Sequence, residues 1–198
     1  MNYSIYAEST PNPGVMKFVA NRMLVDKSIE ITKIEHAQDI SVAKALFNFP
    51  FVKSLYLSSN FISIAKTDNV EWDMIAMQLR VFIADFLNEE GLKNYTEHIT
   101  EEEIIKEEVK EKEGGEEKIS FTEKEEAIID LLNEYIKPAV ESDGGAITFH
   151  SYVGDVVTVN LKGACSGCPS STSTLKGGIE SLLNQKVDPN IVVRANEA

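Results

Sequence analysis

The sequence predicts an α+β protein: two small α/β domains joined by an acidic linker. Three observations carry this. Strand and helix periodicities fall into two blocks, and between them lies a Glu/Lys-rich block with Gly114-Gly115 near its centre. Charge is uneven: residues 1–96 carry a balance of −2, residues 97–126 one of −8, and residues 127–198 one of −3. The only two cysteines of the 198 residues stand together, Cys165 and Cys168, between a strand-like run and a helix-like run. The expected units are a first domain over 1–96, a flexible acidic tether over 97–121 and a second domain over 122–198.

In the first domain, 3–9 reads as a strand and Thr10-Pro11-Asn12-Pro13-Gly14 as a dense turn. Val15 to Ala20 follows as a strand with Met16, Phe18 and Ala20 on one face. Ser28 to Glu35 reads as a third strand, and Ser41 as the cap of a short helix through Phe47. Phe51 to Leu57 and Phe61 to Ala65 form a hairpin around Ser58-Ser59-Asn60. From Glu71 to Asn88, apolar residues recur at helical spacing (Trp72, Ile75, Leu79, Phe82, Ile83, Phe86), with Gly91 as its stop. The order is β-β-β-α-β-β-α. This stretch holds no cysteine, and His36 stands in a polar run as a solvated residue. The Thr10–Pro13 turn and the following Lys17-Phe18 are unusual in composition, and their plain reading is a rigid loop.

In the second domain, Thr122 and Glu125 have the spacing of a capping box. The helix runs to Ile136 or Lys137, burying Ile128, Leu131, Leu132, Tyr135 and Ile136, and Pro138 ends or kinks it. Asp143-Gly144-Gly145 is a turn, Ala146 to Tyr152 and Val156 to Leu161 a hairpin, Pro169 to Leu183 a helix, and Ile191 to Arg194 a last strand. The unit is an α-β-β-α-β sandwich.

A net charge of −13 argues against reading a nucleic-acid backbone and against docking on anionic membranes. No run approaches the ~18 apolar residues of a membrane span. Met1 to Tyr6 lacks the basic start and apolar stretch of a signal peptide. A cytoplasmic protein is expected, where thiols stay reduced.

The chemistry lies in Gly163-Ala164-Cys165-Ser166-Gly167-Cys168-Pro169-Ser170-Ser171. Pro169 suits the first helical position, so the thiols lie at or just before a helix N-terminus, a setting that favours the metal-binding thiolate. Gly163 and Gly167 let the backbone wrap closely around a bulky inorganic group. Ser166, Ser170 and Ser171 are placed to donate toward ligand sulfur. A redox dithiol of the thioredoxin kind also sets CxxC between a strand and a helix, but needs a longer βαβ frame than the thirty residues after Cys168 supply. Zinc sites and iron–sulfur clusters want four ligands. Each chain offers two, and His150 lies back in the hairpin. Two chains meeting at the motif would supply four sulfurs about a two-fold axis.

These residues resemble a known family. Tyr135-Ile136-Lys137-Pro138, Asp143-Gly144-Gly145, the cysteine stretch and Thr174-Leu175-Lys176-Gly177-Gly178-Ile179-Glu180 look like the C-terminal domain of NifU, found in the Nfu iron–sulfur cluster carriers. Thr10-Pro11-Asn12-Pro13 with Lys17-Phe18 resembles the Nfu N-terminal domain. The resemblance implies a non-enzymatic carrier. Two protomers would hold one [4Fe–4S] cluster through Cys165 and Cys168 of each, with [2Fe–2S] as the other cluster type four cysteines can hold. The homodimer would receive the cluster from an upstream scaffold and hand it to apo iron–sulfur proteins, and the first domain would select or orient those acceptors. Dithiol oxidoreductase and structural zinc-bridged dimer are the alternatives. The chain departs from full-length nitrogen-fixation NifU in lacking its cysteine-rich scaffold and ferredoxin-like segments, which argues against de novo cluster assembly. Ala146 stands where many relatives carry an acidic residue.

Overall fold

The computed structural model of the chain describes residues 2–37, 40–90, 122–166 and 169–196. The acidic tether, Gly91, Gly167 and Cys168 lie outside the described residues.

The first unit is a five-stranded antiparallel sheet of β1 (Ile5–Ser9), β2 (Val15–Ala20), β3 (Ile29–Ile31), β4 (Val52–Ser58) and β5 (Phe61–Lys66), in the order β1-β2-β5-β4-β3. A 3-10 turn (Ile34–Ala37) and α1 (Ser41–Leu46) precede β4, and α2 (Trp72–Glu89) closes the unit. The predicted order holds, with two corrections. The third strand is three residues long, because the chain turns into the 3-10 helix after Ile31. Ser41 is not the cap of α1: Ile40 stands there without a side-chain bond, and the Ser41 hydroxyl is buried inside the helix. α2 buries Ile75, Leu79, Ile83 and Leu87, one face at three- and four-residue steps, against Phe18, Ile31, Leu57, Ile62 and Ile64. His36 is exposed, as expected.

The second unit begins with α3 (Glu123–Leu131). Thr122 caps it through both bonds of the box: its hydroxyl accepts from the Glu125 backbone N–H, and the Glu125 carboxylate accepts from the Thr122 N–H. Pro138 does not end the helix. The chain widens through a π-helical turn (Leu132–Ile136) and continues as α4 (Lys137–Ser142), with Pro138 in its first turn. That widening rotates the buried face. Ile128, Leu132 and Val140 go inward, and Tyr135, expected to be buried, is exposed. β6 (Gly145–Val153) and β7 (Val156–Gly163) form the hairpin, α5 (Pro169–Lys186) follows, and β8 (Val192–Asn196) pairs parallel with β7. The Glu180 carboxylate accepts from the Val193 N–H and pins α5 to β8. Val157, Val159, Ile179 and Leu183 are fully buried at the centre of a separate core.

Each unit therefore has its own core, and substitutions should report separately. Leu79→Ala is expected to destabilise the first unit by about 2–5 kcal/mol and leave the second unit's transition in place, and Ile179→Ala the reverse. Urea unfolding followed by amide signals from each unit measures both.

Candidate metal centre

The cysteine stretch opens with a turn that only glycine can make. Gly163 has φ +62°, and a Cβ there would lie 2.7 Å from the Gly144 carbonyl oxygen and 2.8 Å from the Tyr56 ring. Gly145 is bare for a different reason: a Cβ would come within 2.7 Å of the Cys165 Sγ. The two glycine turns are thus stacked, and the Ala164 N–H donates to the Gly144 carbonyl at 3.2 Å.

Cys165 is buried at 8 % exposure, among the core residues of the second unit. It borders a cavity of about 380 Å³ lined also by Pro11, Asp143, Ala164, Thr174 and Leu175. Burial pushes its thiol up to about 11, and the Asp143 carboxylate adds to the rise. For Cys165 this runs against the expectation that the helix start favours thiolate, and Cys168, next to α5 in the chain, lies outside the described residues. Cys165 stands four residues before α5 begins, beyond the first turn over which a helix field acts. The Ser166 hydroxyl does not face sulfur either, because it donates to the Gly163 carbonyl at 3.0 Å. His150 is exposed on β6 at a register shift in the hairpin. Among the described residues, no group of three His, Cys, Asp or Glu side chains is placed to hold a metal ion.

The surroundings of this turn were not read from the sequence. Across the first sheet, Lys17 of β2 stands opposite Ser63 of β5, Ser63 opposite Tyr56 of β4, and Tyr56 opposite Glu30 of β3. This cross-strand row faces away from the α2 core, and it meets the glycine turns. Ser63 Oγ donates to the Gly144 carbonyl at 2.6 Å. The Lys17 ammonium lies 4.6 Å from the Phe61 ring centroid and donates to the carbonyls of Ser142 at 2.8 Å and Glu141 at 3.4 Å, at the C-terminus of α4. The Glu30 carboxylate accepts from the Gly163 N–H at 3.1 Å. Asn12, from the Pro-rich turn, donates through Nδ2 to the carbonyls of Ala164 at 3.1 Å and Ser166 at 3.2 Å, one on each side of Cys165. Its Oδ1 meanwhile accepts from Gly14 N–H and fixes its own turn. One sequence signal was available. Leu55-Tyr56-Leu57 and Phe61-Ile62-Ser63-Ile64 are buried at consecutive positions, the mark of a sheet covered on both faces.

Comparison with known proteins agrees with this architecture. The family described as "Scaffold protein Nfu/NifU N terminal" matches residues 5–90, and the "NifU-like domain" matches residues 128–194. The chain belongs to the Nfu/NifU family. A curated relative, "NFU1 iron-sulfur cluster scaffold homolog, mitochondrial" of Drosophila willistoni, is 33 % identical over 183 residues, covering 90 % of this chain and 58 % of that protein. "NifU-like protein 4, mitochondrial" of Arabidopsis thaliana is 28 % identical over 182 residues, covering 90 % of this chain and 61 % of that one. The chain thus spans less than two thirds of the length of both Nfu/NifU relatives. The solution structure of a NifU-like protein from Saccharomyces cerevisiae aligns at a TM-score of 0.40 and 26 % identity, over 43 % of this chain and 79 % of that one.

The raised thiol gives a pH signature. Above its ordinary value the unfolded Cys165 ionises while the folded one stays protonated, so its stabilising contribution is whole below about pH 9 and is lost as pH rises to about 11. The metal-free chain is expected to lose second-domain stability across that window more steeply than Cys165→Ala. Urea unfolding of both proteins across the window measures the difference.

Proposed function

We propose that this chain is a carrier of iron–sulfur clusters, binding one [4Fe–4S] cluster as cargo between two copies through Cys165 and Cys168 of each. The observation that carries this reading is Cys165 just after the Gly163 turn, with Cys168 next in the sequence to the first residue of α5, within a NifU-like domain. The names of the fly relatives, iron–sulfur cluster scaffold homologues, support it. Four thiolates complete such a cluster, and this chain contains two cysteines.

The work is ligand exchange, not catalysis. An acceptor's thiol loses its proton and binds an iron, the departing Cys165 or Cys168 thiolate takes up a proton, and no oxidation state changes. The cluster comes from an upstream scaffold and goes to apo iron–sulfur proteins. The reading places the ligands in the unit 122–198 and recognition in the unit 1–96, and it requires a reducing compartment, for which we propose the cytoplasm.

Anaerobic reconstitution of the full chain with iron and sulfide tests the proposal. About four irons and four sulfides per two chains are expected, in a species of dimer mass, with both Cys165→Ala and Cys168→Ala losing the cluster. Two irons and two sulfides per dimer would replace the cluster type and leave the carrier. Metal bound without sulfide would indicate the zinc-bridged dimer, and turnover of a disulfide substrate the oxidoreductase. Full cluster retention by Cys165→Ala contradicts shared ligation.

A further inference from the structure

The cluster reading needs Cys165 at a surface two chains can share, yet Cys165 is buried, on the wall of a cavity that Pro11 of the first domain helps to line. The carbonyls on both sides, those of Ala164 and Ser166, are held by the Asn12 side-chain amide of the other domain. The stacked glycine turn below is held by Ser63, Lys17 and Glu30. These partners share one sheet face and one turn, and they address backbone atoms almost exclusively. The surface they form fits the glycine-turn conformation rather than any side chain.

We infer that the first domain is a removable cover on the cysteine turn, with Asn12 as its latch, and that the cover lifts before Cys165 can become a ligand between two chains. The inference deepens the carrier reading and rests on it for its purpose. Lifting breaks bonds to backbone carbonyls and the Glu30 bond to the Gly163 N–H, each replaceable by water, so the closed state is favoured without being locked. The covalent linker keeps the cover at high local concentration, so closure follows when the cargo leaves. Asn12 acts through the turn and touches no cargo, which makes it a positioning residue.

The test is alkylation of the reduced, metal-free full chain with iodoacetamide, with Cys165 and Cys168 quantified in separate peptides. Asn12→Ala removes the latch. A second variant, Lys17→Met with Ser63→Ala, leaves the Pro-rich turn untouched and loosens the other half of the cover. Both are expected to speed labelling of Cys165 by about tenfold, the effect of losing two such bonds from a closed state. The unfolding transition of the first domain should stay in place in the second variant. Unchanged or slower labelling of Cys165 in both variants overturns the cover. A chain that takes up no iron and sulfide while keeping the labelling ratio overturns the carrier reading instead, so the two failures are distinguishable.

Discussion

The structure depends on how the backbone of two tight glycine turns is satisfied. The turn at Gly144 ends α4, and the turn at Gly163 leads into the cysteines. Buried carbonyls must find donors, and beside the Ala164 and Ser166 N–H groups of the turns themselves the other domain supplies three: the Asn12 amide, the Lys17 ammonium and the Ser63 hydroxyl. Remove the first domain and the carbonyls of Ser142, Ala164 and Ser166 lose these donors. Keep it docked and the backbone on both sides of Cys165 is held.

That constraint explains several otherwise separate features. Lys17 is a buried cation, which is costly without partners, and its place at the end of α4 supplies carbonyls and the favourable end of a helix dipole. Tyr56 faces away from the α2 core, and its ring closes over bare Gly163. Glu30, on the short edge strand, meets a backbone N–H of the turn. Cys165 inherits the result. Its thiol is buried beside Asp143, and both raise its pKa.

Much of this was legible from residues alone. The two α+β units, the capping box at Thr122, the hairpins and the helical face of α2 all follow from periodicity and turn chemistry, because those features are local. The cysteine pair and its glycines stood out for the same reason. The misses are non-local. Pro138 read as a helix end or a kink, and the helix continues through it after a π-helical turn that swings Tyr135, expected to be buried, outward. The first domain looked chemically silent because Asn12 and Lys17 are ordinary loop and strand residues. Their partners are backbone carbonyls more than a hundred positions away, and backbone has no sequence signature. The consecutive apolar residues of β4 and β5 were the trace that a second face was covered.

One measurement bears most directly on the claim that the docked cover and the loaded site exclude each other. Trp72 is the single tryptophan, and its indole donates to the Pro13 carbonyl, next to the latch residue. An iron–sulfur cluster absorbs where tryptophan emits, and energy transfer to it falls steeply with distance. The fluorescence lifetime of Trp72, compared between the metal-free and the reconstituted full chain, therefore reports whether the first domain still sits on the turn. The account predicts a dominant lifetime close to the metal-free value after loading. Near-complete quenching of the whole tryptophan population would contradict it, because the cover would then remain closed over a bound cluster.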